Sequence, residues 1–448
     1  MEFEGQSVLV LGLGLSGRSA ARFCAERGAR RVVAIDERDA DSISGLDELP
    51  GSIDLRLGVP FPEAFDYDLV VPSPGVPAKR WVGRARRVWG DIELCYRALS
   101  IPIIAVTGTN GKSTVVRLIE AMARAAGLRA RAAGNLGVPA LDLVGEPLDL
   151  AILEVSSFQL ESVDSFRPRT ALLLNISPDH LDRHGDLEGY LAAKARIFAR
   201  QGRGDSIILN GDDPRLRQLA TPNDVERLEF RRGHPVPAGL WLDGQNAIVR
   251  RAGTQQLVRL GEGEEAFAQP VENVMAALLA LATFDIDLDA ATQGLIGFEG
   301  LPHRRQHVAE IRGVQYIDDS KATNLGAAMQ SLESVAGPIL WIAGGRHKGG
   351  DLSGLVGSAS GRVRRALLIG EAAAELEAAL GAEIECERMG DLAKAVERAT
   401  SIARAGDTVL LAPACASFDQ FESFEDRGRQ FQAAVATHAA RPPQKGSR

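Results

Sequence analysis

Short apolar runs recur along the chain and alternate with stretches that have the 3.6-residue period of amphipathic helices. Runs at residues 7–11, 150–153 and 170–174 contain almost no polar residue, as expected for strands covered on both faces of a parallel sheet. Helical patterns occupy residues 19–27 and 115–126. Strands that alternate with helices predict an α/β fold with mostly parallel sheets.

The alternation falls into three successive segments, which predict three α/β domains. The first is Rossmann-like, because residues 12–17 form a GxGxxG turn between strand and helix and the next strand ends in Asp36. The second is a P-loop-type mononucleotide-binding domain with a small antiparallel patch within residues 222–265, and the third is again Rossmann-like. The predicted boundaries are residues 1–99, 100–300 and 301–438, followed by a disordered tail at 439–448.

The most informative motif is Thr-Gly-Thr-Asn-Gly-Lys-Ser-Thr at residues 107–114. It lies between an apolar run and a helical pattern, where backbone N–H groups and the helix dipole can hold a phosphate chain. Lys112 can then reach the terminal phosphates, and the Ser113 hydroxyl can bind Mg²⁺. A plain βα turn explains the glycines but not this Gly-Lys-Ser sequence. Val106 occupies the position where the common P-loop has glycine, so we interpret the motif as a compact variant.

Composition narrows the class of protein. The chain has 448 residues and a net charge of −8, which argues against nucleic-acid binding, since that would need a basic surface. Its four cysteines have no metal-ligand spacing and predict reduced thiols. The sequence shows neither a signal peptide nor an apolar stretch long enough to span a membrane. We therefore expect a cytoplasmic, monomeric enzyme that acts on small molecules.

Polar residues follow two of the central apolar runs. Glu154 ends the run at 150–153, and His180 follows the run at 170–176. Ligands bind outside the carboxyl ends of strands in open parallel sheets, so both side chains are expected on the same edge as Lys112, where they could serve Mg²⁺. The alternatives are a helix cap or salt bridge for Glu154 and a backbone-bonded loop residue for His180.

Lys194 occupies the apolar face of a predicted helix. Asp186 can cap this helix, which would run to Phe198, and the apolar positions recur around Lys194 with helical spacing. The side chain could extend along apolar surface to water, or it could be a desolvated amine with a lowered pKa. A neutral amine near a divalent cation can take up CO₂ to form a carbamate. The pattern leaves both possibilities open.

Six blocks of sequence together resemble the Mur ligase family, in the family's order and over nearly the whole chain. They lie at residues 108–114, 154–161, 175–183, 300–304, 319–324 and 414–421. The resemblance implies an ATP-dependent amide ligase that forms an acyl phosphate in the synthesis of peptidoglycan precursors. The last block and residues 156–160 point to the member that adds D-glutamate to UDP-N-acetylmuramoyl-L-alanine. The first domain would then bind UDP rather than a redox cofactor.

The resemblance also implies roles for individual positions. Those for ATP are Gly108, Thr109, Asn110, Gly111, Lys112, Ser113, Thr114, Asn273, His303, Arg304, Asp319 and Lys321. Those for the UDP substrate are Leu15, Ser16, Arg38, Ser73, Gly75 and Asn135, and those for D-glutamate are Thr323, Lys348, Ser417 and Phe424. The implied catalytic residues are Lys112, Glu154, His180, Lys194 and Arg304. Mg²⁺ would be held by Ser113, Glu154, His180 and Lys194, the last as a carbamate.

Two positions depart from the family pattern. Pro270 stands where the family often has asparagine, and Glu37 where it often has a hydroxyl residue. An acidic Glu37 near a nucleotide would need Arg38 or solvent to offset its charge. The alternative functions are another Mur-type ligase such as folylpolyglutamate synthase, an NAD(P)-dependent reductase that uses the first domain, and a non-catalytic nucleotide-binding module.

Overall fold

The computed structural model places most of the chain in two compact units. Unit 1 comprises Met1–Ile176 and Asp182–Glu299, and unit 2 comprises Ser177–Leu181 and Gly300–Arg448. The residues that the structure describes are 2–62, 66–244, 246–260, 270–298, 300–335 and 337–439. Of the predicted disordered tail, residues 440–448 lie outside them.

The first sheet of unit 1 is parallel and confirms the βαβ pattern predicted at the start of the chain. Its strands, in the order β3-β2-β1-β4, are β1 (Ser7–Leu11), β2 (Arg31–Asp36), β3 (Ile53–Leu57) and β4 (Leu69–Pro72). Its helices are α1 (Leu15–Glu26) and α2 (Asp91–Ala98). β3 was not predicted, because this edge strand buries only Ile53 and presents Asp54 and Arg56.

The second sheet has the order β13-β12-β11-β10-β9-β8-β5-β7-β6. Its strands are β5 (Ile103–Thr107), β6 (Ala130–Gly134), β7 (Leu150–Glu154), β8 (Thr170–Leu173), β9 (Ser206–Asn210), β10 (Glu226–Arg231), β11 (Gly239–Asp243), β12 (Asn246–Arg251) and β13 (Thr254–Arg259). Strands β5 to β11 form the parallel part of the sheet. Beyond it, β11 pairs with β12 and β12 pairs with β13, both antiparallel. The predicted antiparallel patch is therefore confirmed.

Helices cover both faces of the second sheet. They are α3 (Lys112–Ala125), α4 (Ser157–Leu160), α5 (Leu181–His184), α6 (Leu187–Ala195), α7 (Pro214–Gln218), α8 (Val271–Leu281) and α9 (Leu288–Thr292). α8 is buried all round from Val274 to Leu281, as expected for a helix that is apolar on every face. The helix of Lys194 was predicted to reach Phe198, but α6 ends at Ala195 and the last turn, Arg196–Phe198, is a 3₁₀ helix.

The sheet of unit 2 has the order β14-β15-β19-β16-β17-β18 and is parallel except for β14. Its strands are β14 (Gln306–Ile311), β15 (Val314–Asp318), β16 (Ile339–Gly344), β17 (Val363–Ile369), β18 (Cys386–Gly390) and β19 (Thr408–Leu411). Its helices are α10 (Leu325–Ser334), α11 (Gly354–Ala359), α12 (Ala373–Leu380), α13 (Leu392–Ile402) and α14 (Phe424–Ala439). The predicted α/β fold with three sheet-containing parts is thus confirmed. None of the described helices is long and apolar enough to cross a lipid bilayer.

Candidate active site

The predicted phosphate loop connects β5 to α3, and its glycines are required by its shape. Gly108 and Gly111 have φ of 155° and 83°, in the region that favours glycine. A Cβ atom on Gly111 would lie 2.8 Å from the Asn273 side-chain oxygen. Asn273, at the start of α8, therefore packs against the loop, and its role in binding the nucleotide stays a prediction.

Two lysine side chains converge on one carbonyl of this loop. Lys112 Nζ donates to the carbonyl oxygens of Gly108 and Thr109, each at 2.9 Å, and Lys194 Nζ donates to Gly108 at 2.8 Å. Lys194 is only 1% exposed, and its Nζ lies 4.5 Å from the centre of the Tyr190 ring. Of the two predicted alternatives, the one in which Lys194 extends to water is wrong.

Asn175, which was not predicted as a site residue, holds the loop from the adjacent strand β8. Its side chain accepts from the Asn110 N–H at 2.8 Å and donates to the Asn110 carbonyl at 3.1 Å, and its own carbonyl accepts from the Thr109 N–H. The signal in the sequence was an amide residue directly after a buried run. The loop is therefore fixed from outside by a pair of complementary hydrogen bonds.

Glu154 ends β7, next to the phosphate loop. The N–H of the following residue, Val155, bonds to the carbonyl of Val106 in β5. Oε1 of Glu154 accepts from Nδ2 of Asn135 at 2.9 Å, while Oε2 is buried and has no hydrogen-bond partner among the residues that the structure describes. A buried anionic oxygen without a donor is costly, so this carboxylate is suited to a cation.

The chemistry of these side chains fits Mg²⁺, which prefers oxygen ligands and usually keeps some from phosphates and water. Ser113 and Thr114 begin α3 and are both nearly buried. In the part of the chain that the structure describes, no group of three or more His, Cys, Asp or Glu side chains could hold a metal alone. A Mg²⁺ ion at Glu154 would therefore take water or phosphate oxygens as further ligands.

A cavity of about 670 Å³ lies in unit 1, and it brings together all six residues predicted for the UDP substrate. These are Leu15, Ser16, Arg38, Ser73, Gly75 and Asn135. Leu15 and Ser16 begin α1, a helix of 12 residues, whose N-terminal N–H groups suit a diphosphate. At Asn135 the cavity adjoins Glu154, through the hydrogen bond between the two side chains.

Asp36, the acid at the end of β2, is fully engaged within the protein. Oδ1 accepts from N and Nε of Arg38, and Oδ2 accepts from Nη2 of Arg38 and from the Leu13 N–H, all at 2.7–3.0 Å. Burial acts to raise the pKa of Asp36, but the Arg38 side chain and the two backbone N–H groups lower it to about 2. The four acceptor positions of this carboxylate are thus filled.

Of the two expected ways to offset Glu37, the one through Arg38 is wrong, whereas the Glu37 side chain is 47% exposed and so is open to solvent. Arg38 is committed to Asp36, and Glu37 instead forms an ion pair with Arg80. Arg80 also lies over the ring of Phe61, with 5.2 Å between the guanidinium carbon and the ring centre. Glu37 and Phe61 both line the cavity, so Arg80 contacts two residues of its wall.

In unit 2, several predicted ATP residues gather after β15. His303 has φ of 60°, its Nδ1 lies 2.7 Å from Oδ2 of Asp318, and its carbonyl accepts from the Lys321 N–H. Asp319 is buried beside the Ser331 hydroxyl, and burial raises its pKa. Arg304 follows His303 and is half-buried.

The residues predicted for D-glutamate lie on neighbouring loops of unit 2. Thr323 lies two residues after Lys321, whose Nζ is 3.7 Å from the centre of the Phe424 ring. Ser417 is 2% exposed. Lys348 Nζ lies 3.6 Å from Oδ1 of Asp179. Asp179 belongs to Ser177–Leu181, the segment whose contacts are with unit 2. The predicted position of its neighbour His180 beside the phosphate loop therefore stays a prediction.

Arg427 is a second residue that the sequence analysis missed. It is fully buried in α14, and its guanidinium donates to the carbonyls of Ser320 and Cys415 and to the Ser320 hydroxyl, at 2.8–3.2 Å. These bonds join the loop after β15 to the loop that carries Ser417. A lone arginine near the start of a helix gave no sequence signal for this role.

Three family models match the chain. The Mur ligase MurD-like N-terminal domain matches residues 6–84, the Mur ligase middle domain matches 106–281, and the Mur ligase glutamate ligase domain matches 303–415. Together the three matches span most of the chain, one after another and without overlap.

Relatives match over nearly the full length. The chain is 42% identical to a UDP-N-acetylmuramoylalanine–D-glutamate ligase of Anaeromyxobacter dehalogenans, with 98% of this chain and 99% of that protein covered. It is 38% identical to the protein of the same name from Syntrophotalea carbinolica, with 97% and 98% covered.

Solved structures share the fold at lower identity. A MurF ligase from Thermotoga maritima in complex with ADP aligns with a TM-score of 0.62 at 18% identity, covering 98% of this chain and 96% of that one. E. coli FolC in complex with ADP aligns with a TM-score of 0.55 at 20% identity, covering 82% of this chain and 100% of that one.

Proposed function

The chain belongs to the Mur ligase family, and from this membership we propose that it joins D-glutamate to UDP-N-acetylmuramoyl-L-alanine at the expense of ATP. The product would be a precursor of peptidoglycan. Full-length relatives with this activity in their names are 37–42% identical to the chain, whereas the FolC structure is 20% identical and covers less of it. Folylpolyglutamate synthase is therefore the less favoured function.

One observation carries this proposal on the structural side. Asn135 lines the cavity of unit 1 and also donates to Glu154, next to the phosphate loop. A long substrate bound at the N-terminus of α1 would thus have its far end at Asn135, close to the groups proposed for the γ-phosphate. This is what a ligase that phosphorylates the end of a UDP-linked substrate requires.

The first sheet is proposed to bind UDP, not a nicotinamide cofactor. A dinucleotide-binding domain uses the acid at the end of its second strand to accept from a ribose hydroxyl. In this chain that acid, Asp36, has its acceptor positions filled by Leu13 and Arg38. We propose that Leu15, Ser16, Ser73 and Gly75, with Arg38 and Asn135, hold the UDP-sugar instead.

In the first half-reaction, an oxygen of the alanyl carboxylate attacks the γ-phosphorus of ATP. A carboxylate O–P bond forms, the bond between the γ-phosphorus and the bridging oxygen breaks, and ADP leaves with that electron pair. Lys112 is proposed to neutralise charge on the transferred phosphoryl group from within the loop, and Arg304 to add a second positive charge. Bound Mg²⁺ would supply further charge neutralisation at phosphate oxygens.

In the second half-reaction, the amine of D-glutamate attacks the acyl carbon. The C–N bond forms, the C–O bond to phosphate breaks, and the proton that the nitrogen loses is taken up by the leaving phosphate. Lys348 is proposed to pair with a carboxylate of D-glutamate, with Thr323 and Ser417 as hydrogen-bond donors and Phe424 beside them. The fixed loops around Arg427 would keep these donors in register.

Glu154, Ser113 and His180 are proposed as the magnesium residues, together with a carbamate on Lys194. The unpartnered oxygen of Glu154 supports this set. The burial of Lys194 supports the carbamate, because burial favours the neutral amine that reacts with CO₂. We also propose three functional parts, residues 1–99 for the UDP substrate, 100–300 for ATP and 301–438 for the amino acid, in a cytoplasmic monomer.

The direct test is ADP release by the purified protein with Mg²⁺·ATP and candidate acceptors. We expect ADP release only when UDP-N-acetylmuramoyl-L-alanine and D-glutamate are both present, with L-glutamate and a folate acceptor inactive. The Lys112→Ala variant serves as the matched blank for contaminating ATPase. Release that depends on a folate and L-glutamate, and not on the UDP substrate, would overturn the proposal in favour of the alternative ligase.

A further inference from the structure

We propose that Asp179 binds the ammonium group of the amino-acid substrate, opposite the lysine that binds its carboxylate. This rests on the proposed function, because it concerns the amino-acid pocket of the same ligase. Asp179 lies in the motif Ser177-Pro178-Asp179-His180, and it has no part in the half-reactions described above. The observation that points to it is its ion pair with Lys348.

The carboxylate of Asp179 is fixed in one orientation within unit 2. Its side chain is 8% exposed, with Oδ1 3.6 Å from Lys348 Nζ and Oδ2 accepting from Asn324 Nδ2 at 3.1 Å. Oδ1 also accepts from the N–H of His180 at 3.0 Å, in a backbone turn where His180 has φ of 53°. A nearly buried anion held in this way is a preformed site for a cation.

The pair offers one negative and one positive charge to the proposed amino-acid pocket. Asn324, which bonds to Asp179, directly follows Thr323, so the acidic group contacts the loop that carries one of the proposed carboxylate donors. An α-amino acid is a zwitterion, and its ammonium and carboxylate groups complement Asp179 and Lys348 with matched signs. A bound zwitterion can therefore separate the ion pair while leaving neither charge without a partner.

A ligand that carries only one of the two charges lacks this compensation. Glutarate, the dicarboxylate without the amine, would pair with Lys348 and leave the nearly buried Asp179 carboxylate unsatisfied. The pocket should thus reject simple dicarboxylates in favour of amino acids. The same arrangement would hold the nitrogen at a defined point, from which the neutral amine attacks the acyl carbon after the ammonium has lost a proton to water.

The test compares D-glutamate with glutarate in the wild type and in Asp179→Asn, using ADP release with saturating ATP and UDP substrate. In the wild type, the inhibition constant of glutarate should exceed the KM for D-glutamate by at least about tenfold. This is the effect expected when a ligand lacks one hydrogen bond to a charged group. In Asp179→Asn the KM for D-glutamate should rise about 10- to 100-fold, with the KM for ATP unchanged. The ratio of glutarate to D-glutamate constants should fall towards one.

The control is Glu310→Gln, which removes the same charge from an exposed position on β14, and it should leave all three constants unchanged. Equal discrimination against glutarate in the variant and the wild type would overturn the proposal and leave Asp179 a structural partner of Lys348. If Asp179→Asn does not fold, the wild type alone tests the proposal. An inhibition constant of glutarate close to the KM for D-glutamate would then contradict it. The dependence of wild-type ADP release on D-glutamate is measured first. A failure of the proposed ligase function is then distinguished from a failure of the role of Asp179.

Discussion

Replacing Asp36 by asparagine should weaken the first turn of the chain, which carries the proposed UDP contacts. Asp36 accepts two hydrogen bonds at each oxygen, from Arg38 and from the Leu13 N–H. An asparagine side chain offers one oxygen and one NH₂ group. Two of the four N–H groups that now bond to Asp36 would then face the NH₂ group of asparagine, and the negative charge that attracts Arg38 would be absent.

The magnitude follows from the pKa of this carboxyl. It falls from an ordinary value of 3.8 to about 2 in the folded protein. At about 1.4 kcal/mol per pKa unit, the difference corresponds to about 2 kcal/mol of stability for the ionised form. Because the folded-state pKa is the lower one, this stability is complete above about pH 4 and is lost as the pH falls towards 2.

Hydrogen exchange read by mass spectrometry is the suitable assay, since a chain of two units need not unfold in one step. In Asp36→Asn, peptides that cover β1, α1 and β2 should lose about 2 kcal/mol of protection against exchange. The loss should be the same at pH 5 and at pH 8, because Asp36 is ionised at both. The KM for the UDP substrate should rise as well, because Leu15 and Arg38 both depend on this turn.

Asp54→Asn is the matched control. Asp54 lies in the same sheet and pairs with Arg31 and Arg56, but its side chain is 41% exposed, and exposed pairs contribute only about 0.2–1 kcal/mol. Equal protection in Asp36→Asn and the wild type, or a difference that changes between pH 5 and pH 8, would refute the reasoning.

Three further predictions concern the lysines. Lys112→Ala should abolish ADP release while circular dichroism shows an intact fold, because it removes the charge from the phosphate loop; wild-type turnover would contradict the nucleotide assignment. Lys194 should show a carbamate signal in NMR with ¹³C-bicarbonate, and Lys194→Ala should lose most activity; a charged amine in a ligand complex would exclude the carbamate. Lys348→Ala should raise the KM for D-glutamate far more than that for ATP, because it leaves a carboxylate unpaired at a cost on the order of 3–5 kcal/mol; equal changes would indicate a general structural role.

The phosphate loop and the central strands could be predicted because their signals are local. An apolar run followed by Gly-Lys-Ser defines β5, the loop and the start of α3 within a few residues. Edge strands carry weaker signals. Every residue of β14 and β18 is at least partly exposed, and β6 is built largely of alanine and glycine, which have low β-propensity.

Side-chain partners were harder to predict than elements, because they come from distant parts of the chain. Helical spacing placed Lys194 on an apolar face, but its burial depends on the Gly108 carbonyl, 86 residues away in sequence. The sequence placed Arg38 next to Glu37 and suggested a pair between them. The structure instead pairs Arg38 with Asp36 and Arg80 with Glu37, and Arg80 is 43 residues away from Glu37 in sequence.

The motif at residues 175–183 shows the limit of reading a block of sequence as one site. Asn175 bonds to Asn110 in the phosphate loop of unit 1, whereas Asp179, four residues later, pairs with Lys348 in unit 2. A single short block thus contributes one residue to the phosphate loop and another to the proposed amino-acid pocket. Pattern matching assigns such a block as a whole, but the charges around each residue differ. Asn175 faces backbone groups that need an amide, and Asp179 faces a lysine that needs an anion. That difference is the physical reason to give Asp179 a role of its own in recognising the amino acid.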